Sequence, residues 1–315
     1  MDLIKSHHHL TLSVGGAQED YDFHTGLLGL RSVKKTILFD GITPIYHLYY
    51  GNYTGDPSTL ITCFAFRQAG IKGKKGSGQI RIVNLSVPSA SLEFWADRLQ
   101  QFGHEYERFE RFGEQGLHFE HPCGIEYEFI ADDSDQREAY VNGDIPAEAA
   151  IRGLRGITVS VKELEQQGWF MENAFGARRT AQDGNFTRYE IGTGGAGHII
   201  DHVEEPDVPQ GSWIFGEGTV HHCAFDVVGQ DQQQQFKDHI EGLGFTDASD
   251  EKDRQYFHSV YFRTPGGALF EAAYSTEQGF TIDESVENFG RDFQLPSWFE
   301  DRRQEILDTL ETIDY

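Results

Sequence analysis

One pattern of secondary structure recurs four times along the chain and constrains its fold more than any other feature of the sequence. Each copy contains a helix-like segment that stops at a glycine, a residue that commonly caps the C-terminal end of a helix. By subtraction, the intervals between these stops are 74, 73 and 68 residues, with the stops at Gly29, Gly103, Gly176 and Gly244. A repeat of this length indicates one supersecondary unit that is used four times.

A short alternating strand precedes each helix-like segment, and further strand-like runs follow it. The preceding strands are HHLTLSV (8–14), IVNLSV (82–87), ITVSV (157–161) and HHCAFDV (221–227). The runs TILFD, YHLYYGN and LITCFAF follow the first helix, and HSVYFRTP and GALFEAAY follow the fourth. Because such runs are typical of strands, each copy reads as a βαβββ module. We therefore expect an α+β fold of four βαβββ modules that form two open barrel-like domains, plus a C-terminal helix.

Changes in composition suggest where the domains begin and end. A polar segment, residues 130–150, separates the first two modules from the last two. We expect residues 1–145 to hold modules one and two, and residues 146–280 to hold modules three and four. Residues 281–315 form a C-terminal tail, in which apolar residues at helical spacing predict a helix over 295–313.

Composition and charge exclude several classes of partner. The chain has 315 residues, 51 of them acidic and 26 basic, and its formal charge of −25 repels nucleic acid and anionic membranes. It has no apolar run of the roughly 20 residues that cross a bilayer, and no secretory signal is visible at its start. The three cysteines are far apart without a C-x-x-C motif, which fits a cytoplasmic protein. We expect a homo-oligomer, most simply a dimer.

Two histidines occupy equivalent positions in the first and last modules. When the modules are aligned by their glycine stops, His9 corresponds to His222, whereas modules two and three have Ile82 and Gly156 there. Module four adds Glu271 within the apolar run LFEAAY, where an unpaired charge is costly. Two imidazoles and one carboxylate, with the remaining positions open, form the ligand set of non-haem Fe(II) oxygenases. The sequence therefore predicts one divalent metal, Fe(II) with Mn(II) as a substitute, bound by these three residues.

Strand alternation selects one histidine from each adjacent pair. Successive side chains of a strand face opposite sides. This places His9 and His222 on a small, polar face of their strands and turns His8 and His221 toward the face that packs against the helices. A lone histidine on a strand is more often a hydrogen-bonded core or surface residue than a ligand. The equivalence of two histidines in repeated modules is what favours the ligand role.

The sequence around these residues resembles the vicinal oxygen chelate superfamily, and within it the hydroquinone-type ring-cleaving dioxygenases, which include chlorohydroquinone dioxygenases. The motifs that carry the resemblance span nearly all of residues 7–285: HHLTLSVGGAQEDYDF, LFDGITPIYHLYYGN, ERFGEQGLHFEHPCGIEYE, EGTVHHCAFDV, DRQYFHSVYFRTPGGALFEA and GFTIDES. The resemblance implies a non-haem iron, extradiol-type enzyme that cleaves hydroquinone-type or catecholic aromatics with O2. It also implies His9, His222 and Glu271 as the iron ligands.

The resemblance further implies roles near the metal for five residues: His8, Thr11, His221, Arg254 and Tyr261. We expect Tyr261 to hydrogen-bond to an oxygen of the reacting group and Arg254 to stabilise negative charge that develops there. The alternatives are a core tyrosine and a solvated surface arginine. Strand alternation does not support substrate contact by His8 and His221. We interpret His258 as a surface or pocket-rim residue, with a fourth metal ligand as the alternative.

Two other functions fit the same modules. A glyoxalase-like isomerase or lyase typically uses four protein ligands from paired sites, and module one has Thr62 or Cys63 where the second carboxylate would stand. A non-catalytic aromatic- or drug-binding protein often lacks metal ligands. The intact triad favours the dioxygenase. Hydroquinone, chlorohydroquinone and catechol all stay open as its substrate.

Overall fold

A computed structural model describes residues 3–38, 44–141 and 143–314, and all four modules have the predicted βαβββ order. Module one contains β1 (His7–Val14), α1 (Ala17–Tyr21), β2 (Arg31–Ile37), β3 (Tyr46–Gly51) and β4 (Leu60–Ala65). Module two contains β5 (Gln79–Val87), α2 (Leu92–Gln101), β6 (Tyr106–Arg111), β7 (Glu114–Glu120) and β8 (Glu126–Ala131). Module three contains β9 (Gly153–Val161), α3 (Glu165–Asn173), β10 (Arg178–Asp183), β11 (Phe186–Glu190) and β12 (Ile199–Glu204). Module four contains β13 (Thr219–Asp226), α4 (Gln230–Gly242), β14 (Lys252–Asp253), β15 (Phe257–Arg263) and β16 (Leu269–Ser275).

The glycine stops lie just after the helices, as predicted. All four glycines have a positive φ, from 67° at Gly29 to 102° at Gly244, a conformation that other residues rarely adopt. The first helix differs from the other three, because after α1 the chain continues as a π-helix over Asp22–Leu27. Residues 39–43, which include the end of the predicted strand TILFD and much of the motif LFDGITPIYHLYYGN, lie outside the described residues.

The strands of the described residues form two curled eight-stranded sheets, which confirms the predicted fold class. The first sheet has the order β14-β15-β16-β13-β1-β4-β3-β2, and the second has the order β10-β11-β12-β9-β5-β8-β7-β6. In each sheet two modules meet through one antiparallel pair of strands, β1 with β13 and β5 with β9. Each half-barrel is therefore the product of two modules.

The pairing of modules differs from the predicted division of the chain. Module one pairs with module four and module two with module three, so residues 1–145 and 146–280 do not correspond to the two sheets. Each sheet combines one module from each half of the chain. The first strand of each module offers a similar free edge, and a local sequence pattern does not specify which other edge it pairs with.

The C-terminal segment packs along module one. A 3-10 helix over Ser297–Arg302 leads into α5 (Arg303–Thr309), which lies inside the predicted range of 295–313. Lys34 on β2 anchors the segment, because its Nζ atom lies 2.5 Å from a carboxylate oxygen of Asp283 and 2.5 Å from one of Glu284. Both carboxylates belong to the motif GFTIDES. No helix of the described residues is long and apolar enough to span a membrane.

A buried polar cluster fixes α1 against the first sheet and module two. Tyr50 donates a hydrogen bond of 2.7 Å to Asp20, and the nearest nitrogens of His24 and His121 lie 3.2 and 3.4 Å from the other carboxylate oxygen. Burial opposes the ionisation of Asp20, but the two imidazoles outweigh it and hold the pKa of Asp20 below its usual value. Cys63 completes a second group of metal-ligating side chains in the described chain.

The hydrogen bonds of this cluster favour a structural role. His24 contacts the hydroxyl of Tyr127 through Nε2 and the carbonyl oxygen of Asp20 through Nδ1. The backbone N–H of Cys123 donates to Nδ1 of His121, so the ring proton of a neutral His121 lies on Nε2 and faces Asp20. The ring nitrogens that face the carboxylate therefore carry protons, which leaves no lone pair there for a metal.

We predict that Asp20→Asn lowers the free energy of unfolding by about 3 kcal/mol, since it leaves the buried donors around position 20 without a charged acceptor. The lowered pKa keeps Asp20 ionised, so the loss persists from about pH 5 to about pH 8. Urea unfolding followed by fluorescence measures it. The control is Asp22→Asn on the exposed side of the same helical segment, which should change the free energy by less than about 0.5 kcal/mol. Equal effects of the two variants would contradict the prediction.

Candidate metal centre

Three side chains from β1, β13 and β16 converge on one point, which we call the candidate metal centre. The Nε2 atoms of His9 and His222 lie 3.3 Å apart. Glu271 Oε2 lies 2.8 Å from Nε2 of His222 and 3.8 Å from Nε2 of His9. All three side chains are buried, and Glu271 is 0% exposed. The structure thus brings together the three predicted ligands from the two ends of the chain.

The strand register explains this convergence. His9 on β1 lies opposite Ala224 on β13, and Ala224 lies opposite Glu271 on β16, so the three residues form one row across three strands. His222 is next to this row and lies opposite Thr11. Side chains in one row share a face of the sheet. The small methyl group of Ala224 leaves space between the imidazole on one side and the carboxylate on the other.

His8 and His221 contact the far sides of the two central imidazoles. Nδ1 of His8 lies 2.9 Å from Nδ1 of His9, and Nδ1 of His221 lies 2.8 Å from Nδ1 of His222. A neutral imidazole carries one N–H, so a central histidine that donates through Nδ1 keeps the lone pair of Nε2 for a metal. His8 in turn contacts Ser275 through Nε2 at 2.9 Å.

The expectation that His8 and His221 pack toward the helices was wrong, because neither residue follows regular strand alternation. The register between β1 and β13 shifts between His7 and His9, and it shifts again between Thr11 and Leu12, where β13 contributes His221 as an extra residue. An extra residue in a β-bulge re-aims its side chain, and such bulges are common beside functional sites. Each bulge places a histidine against the neighbouring candidate ligand.

The electrostatics of the centre fit a divalent cation. Glu271 Oε1 accepts a hydrogen bond of 2.5 Å from Ser259, but Oε2 is buried and receives none from the described residues. A buried carboxylate oxygen without a partner is costly, and a cation at this point removes the cost. Burial lowers the pKa of His9 well below its usual value and the pKa of His222 to about 3. Both imidazoles are therefore neutral, which is the form that binds metals.

The centre forms part of the wall of a cavity of about 320 Å³. Thr11 Oγ1 lies 3.1 Å from Nε2 of His222, and the ring of Tyr261 meets the ring of His222 edge-on at 5.4 Å. Arg254 donates to the hydroxyl of Tyr261 at 3.2 Å. Burial and the carboxylate of Glu271 raise the pKa of Tyr261, so its hydroxyl stays protonated. Thr11, His221, Arg254 and Tyr261 line the cavity, whereas His8 lies behind the centre.

Sequence reasoning missed three polar residues of the cavity: His47 and Tyr49 on β3, and Lys252 on β14. Nδ1 of His47 lies 3.1 Å from the hydroxyl of Tyr49, and burial lowers the pKa of His47 well below its usual value. Alignment of the last three strands of modules one and four would have found Tyr49, because that alignment matches it to Tyr261. Phe257 also lines the cavity, whereas the hydroxyl of Tyr256 donates to Asp283 outside it.

His258 lies on the opposite face of β15 from Tyr261. Its Nδ1 atom is 3.3 Å from a carboxylate oxygen of Glu251, and its ring stacks on that of Tyr274. It is half-buried and does not line the cavity. The contacts of His258 are therefore those of a residue outside the pocket rather than of a fourth ligand.

The sequence is similar along its whole length to proteins of one enzyme class. It is 44% identical to chlorohydroquinone/hydroquinone 1,2-dioxygenase of Sphingobium indicum over 310 residues, which cover 98% of this chain and 96% of that protein. It is 36% identical over 299 residues to MhqO of Bacillus subtilis, a candidate ring-cleaving dioxygenase, with 95% and 93% of the two chains covered. No model of a protein family matches the sequence.

Solved structures show the same architecture. The crystal structure of a candidate dioxygenase from Bacillus subtilis matches with a TM-score of 0.93 and 34% identity, over 100% of this chain and 99% of that one. Glyoxalase I of Zea mays matches with a TM-score of 0.64 over 91% and 97% of the two chains, and its 14% identity indicates a shared fold alone. The chain therefore belongs to the family of ring-cleaving dioxygenases that includes chlorohydroquinone/hydroquinone 1,2-dioxygenase.

Proposed function

We propose that the chain is an Fe(II)-dependent, extradiol-type dioxygenase that opens the ring of a hydroquinone-type aromatic with O2. The observation that carries this proposal is the meeting of two neutral imidazoles and one carboxylate at the wall of an open cavity. Glu271 Oε2, which lacks a hydrogen-bond donor among the described residues, is the oxygen aimed at that point. The ligand set suits Fe(II), with Mn(II) as a substitute. The name of the Sphingobium indicum relative supports a hydroquinone as the substrate.

His9, His222 and Glu271 would hold Fe(II) at the wall of the cavity. When bound, Fe(II) would favour ionisation of a ring hydroxyl and would supply the redox chemistry that O2 requires. Thr11 is adjacent to this point, since its hydroxyl lies 3.1 Å from Nε2 of His222. Phe257, whose ring centre is 4.8 Å from that of His9, supplies an apolar wall against which an aromatic ring packs.

Tyr261 and Arg254 act on the oxygens of the reacting group. The raised pKa of Tyr261 keeps a proton on its hydroxyl, which donates a hydrogen bond into the cavity. Arg254 donates to the same hydroxyl and stabilises negative charge that develops beside it. The two residues form one hydrogen-bonded unit, so we expect their variants to have non-additive effects.

His8 and His221 act as positioning residues. Each contacts Nδ1 of one proposed ligand and so fixes the tautomer that directs the Nε2 lone pair to the metal. The aromatic ring of Phe215 stacks on His221 at 3.6 Å and restricts its rotation. These contacts fix the orientation of the two proposed histidine ligands. This role does not require His8 to contact the substrate.

Among the described residues, no contact favours a glyoxalase-type reaction. The fourth ligand of such a site would come from module one, at the position equivalent to Glu271. The register places Thr62 there, and its hydroxyl is engaged with Thr11 at 2.8 Å and with His47 at 3.1 Å. A three-ligand site remains the one that the side chains support.

We predict that His222→Ala abolishes iron binding and lowers the rate of O2 uptake with hydroquinone by about a thousandfold or more, because several kcal/mol of catalysis depend on the metal. Anaerobic loading with Fe(II), metal analysis and an oxygen electrode measure both effects. Incorporation of both atoms of ¹⁸O2 into a ring-opened product, followed by mass spectrometry, identifies the reaction as ring cleavage by a dioxygenase.

The matched control is His258→Ala in the same module, which should keep iron and activity because His258 contacts Glu251 and Tyr274 instead of the centre. A His222→Ala protein that retains iron at the wild-type level would refute the ligand assignment. Wild-type protein that holds Fe(II) but neither consumes O2 nor alters any diol would refute the proposed reaction.

We predict that Tyr261→Phe lowers kcat about a hundredfold with a much smaller change in KM, because the lost hydrogen bond serves the reacting group rather than the whole substrate. Steady-state O2 uptake at saturating hydroquinone measures kcat. Tyr274→Phe removes a hydroxyl from the exposed face of the same sheet and serves as the control, with unchanged kcat. A Tyr261→Phe variant that raises KM and leaves kcat intact would assign Tyr261 to substrate binding instead.

A further inference from the structure

Modules one and four contribute equivalent positions to the two sides of the cavity. Thr11 on β1 lies opposite Thr62 on β4, and Ala224 on β13 lies opposite Glu271 on β16. His9 precedes Thr11 by two residues, just as His222 precedes Ala224. Thr62 is therefore the counterpart of Glu271 in module one, and the module-one side of the cavity carries a hydroxyl where module four carries the carboxylate.

The same relation extends to the neighbouring strands. Tyr261 on β15 lies opposite Glu271, and Tyr49 on β3 lies opposite Thr62. Tyr49 is therefore the counterpart of Tyr261, and both line the cavity. The cavity thus has two tyrosines at related positions, one beside the proposed metal carboxylate and one beside a threonine that binds no metal.

A continuous chain of hydrogen bonds leads from Tyr49 to the metal centre. The hydroxyl of Tyr49 lies 3.1 Å from Nδ1 of His47, and Nε2 of His47 lies 3.1 Å from the hydroxyl of Thr62. The hydroxyls of Thr62 and Thr11 are 2.8 Å apart, and that of Thr11 is 3.1 Å from Nε2 of His222. Tyr49 is therefore separated from His222 by three intervening side chains.

The tautomer of His47 sets the direction of these hydrogen bonds beside Tyr49. In the tautomer with its proton on Nε2, His47 donates to Thr62 and leaves Nδ1 unprotonated. Nδ1 of His47 is then an acceptor, and Tyr49 is its donor. The oxygen of Tyr49 accepts no hydrogen bond from a described side chain, so its lone pairs are available to a group in the cavity.

We propose that Tyr49, held by His47, forms a subsite for the second hydroxyl of a para-dihydroxylated ring, which donates its proton to the tyrosine oxygen. This inference rests on the proposed function and specifies the substrate class of the same cavity. The oxygens of an ortho-diol are on neighbouring carbons and both reach one metal ion. The two oxygens of a para-diol are at opposite ends of the ring, so the second oxygen needs a polar contact from a residue that lines the cavity. Tyr49 and His47 supply that polar contact at a distance from the centre.

The test is Tyr49→Phe, which removes the hydroxyl but keeps the ring that packs edge-on against Phe257 and Phe280. We expect kcat/KM for hydroquinone to fall about tenfold or more, and kcat/KM for catechol to change by less than about twofold. We expect the wild-type protein to discriminate against 4-methoxyphenol, which has no proton to donate at the distal oxygen. We expect the variant to lose that discrimination.

A matched control distinguishes the proposed subsite from a purely structural role of Tyr49. A binding measurement tests the subsite independently of the proposed reaction. Tyr256→Phe removes a hydroxyl from the same aromatic cluster, and the selectivity between hydroquinone and catechol should stay at the wild-type value. Calorimetric titration of hydroquinone under nitrogen, into Fe(II)-loaded and into metal-free protein, measures the Kd. We expect binding to be about tenfold weaker in Tyr49→Phe and unchanged in Tyr256→Phe.

The outcomes are distinguishable. Equal losses of kcat/KM for hydroquinone and catechol in Tyr49→Phe, or an unchanged Kd for hydroquinone, overturn the subsite while the dioxygenase assignment stands. Wild-type protein that turns over no diol overturns the proposed function, and the titrations then decide the subsite by themselves. His47→Asn provides a second variant, and it should reproduce the selective loss because Tyr49 is no longer held in place.

Discussion

The antiparallel pairing of β1 with β13 is the interaction on which the rest of the site depends. It joins the first module to the last, places His9 opposite Ala224, and places Thr11 opposite His222. Neither module alone contains the three proposed ligands. A shift of this register by one residue would turn the histidines to the other face of the sheet. The two β-bulges that interrupt the pairing place His8 and His221 against the proposed ligands, so the same strand pair supplies the two histidine ligands and their supports.

Buried charge is the second constraint, and the molecule resolves it in three ways. Lys34 is buried between two carboxylates of the C-terminal segment, which ties that segment to β2. Asp20 is surrounded by hydrogen-bond donors from several elements. Glu271 Oε2, like Asp20 Oδ1, has no hydrogen-bond partner among the described residues, but Glu271 differs in facing two neutral imidazoles whose Nδ1 atoms contact other histidines. An uncompensated buried carboxylate costs several kcal/mol, so this site is destabilised until a cation binds.

Much of this arrangement could be predicted from the sequence, because it depends on local patterns that repeat. The glycine stops defined the four modules, and their alignment equated His9 with His222, an equivalence that the strand register reproduces. The meeting of modules one and four at the site follows from the same equivalence, whereas the order of the strands within each sheet could not be predicted, since every module offers a similar strand edge. The positions of His8 and His221 were also missed, because a bulge adds one residue without a compositional signal. His47 and Tyr49 were overlooked because only the histidines and the carboxylate were compared between modules.

The distance along the chain between β1 and β13 has a consequence for how the protein is made. During synthesis the first strand leaves the ribosome long before its partner, and modules two and three are complete before β13 exists. The nascent chain therefore closes its second sheet while one edge of β1 stays unpaired, and unpaired edges invite association with other chains. Long-range pairing of this kind is slow to form. In this order of synthesis the first sheet closes after the second, and the three proposed ligands come together only when it does.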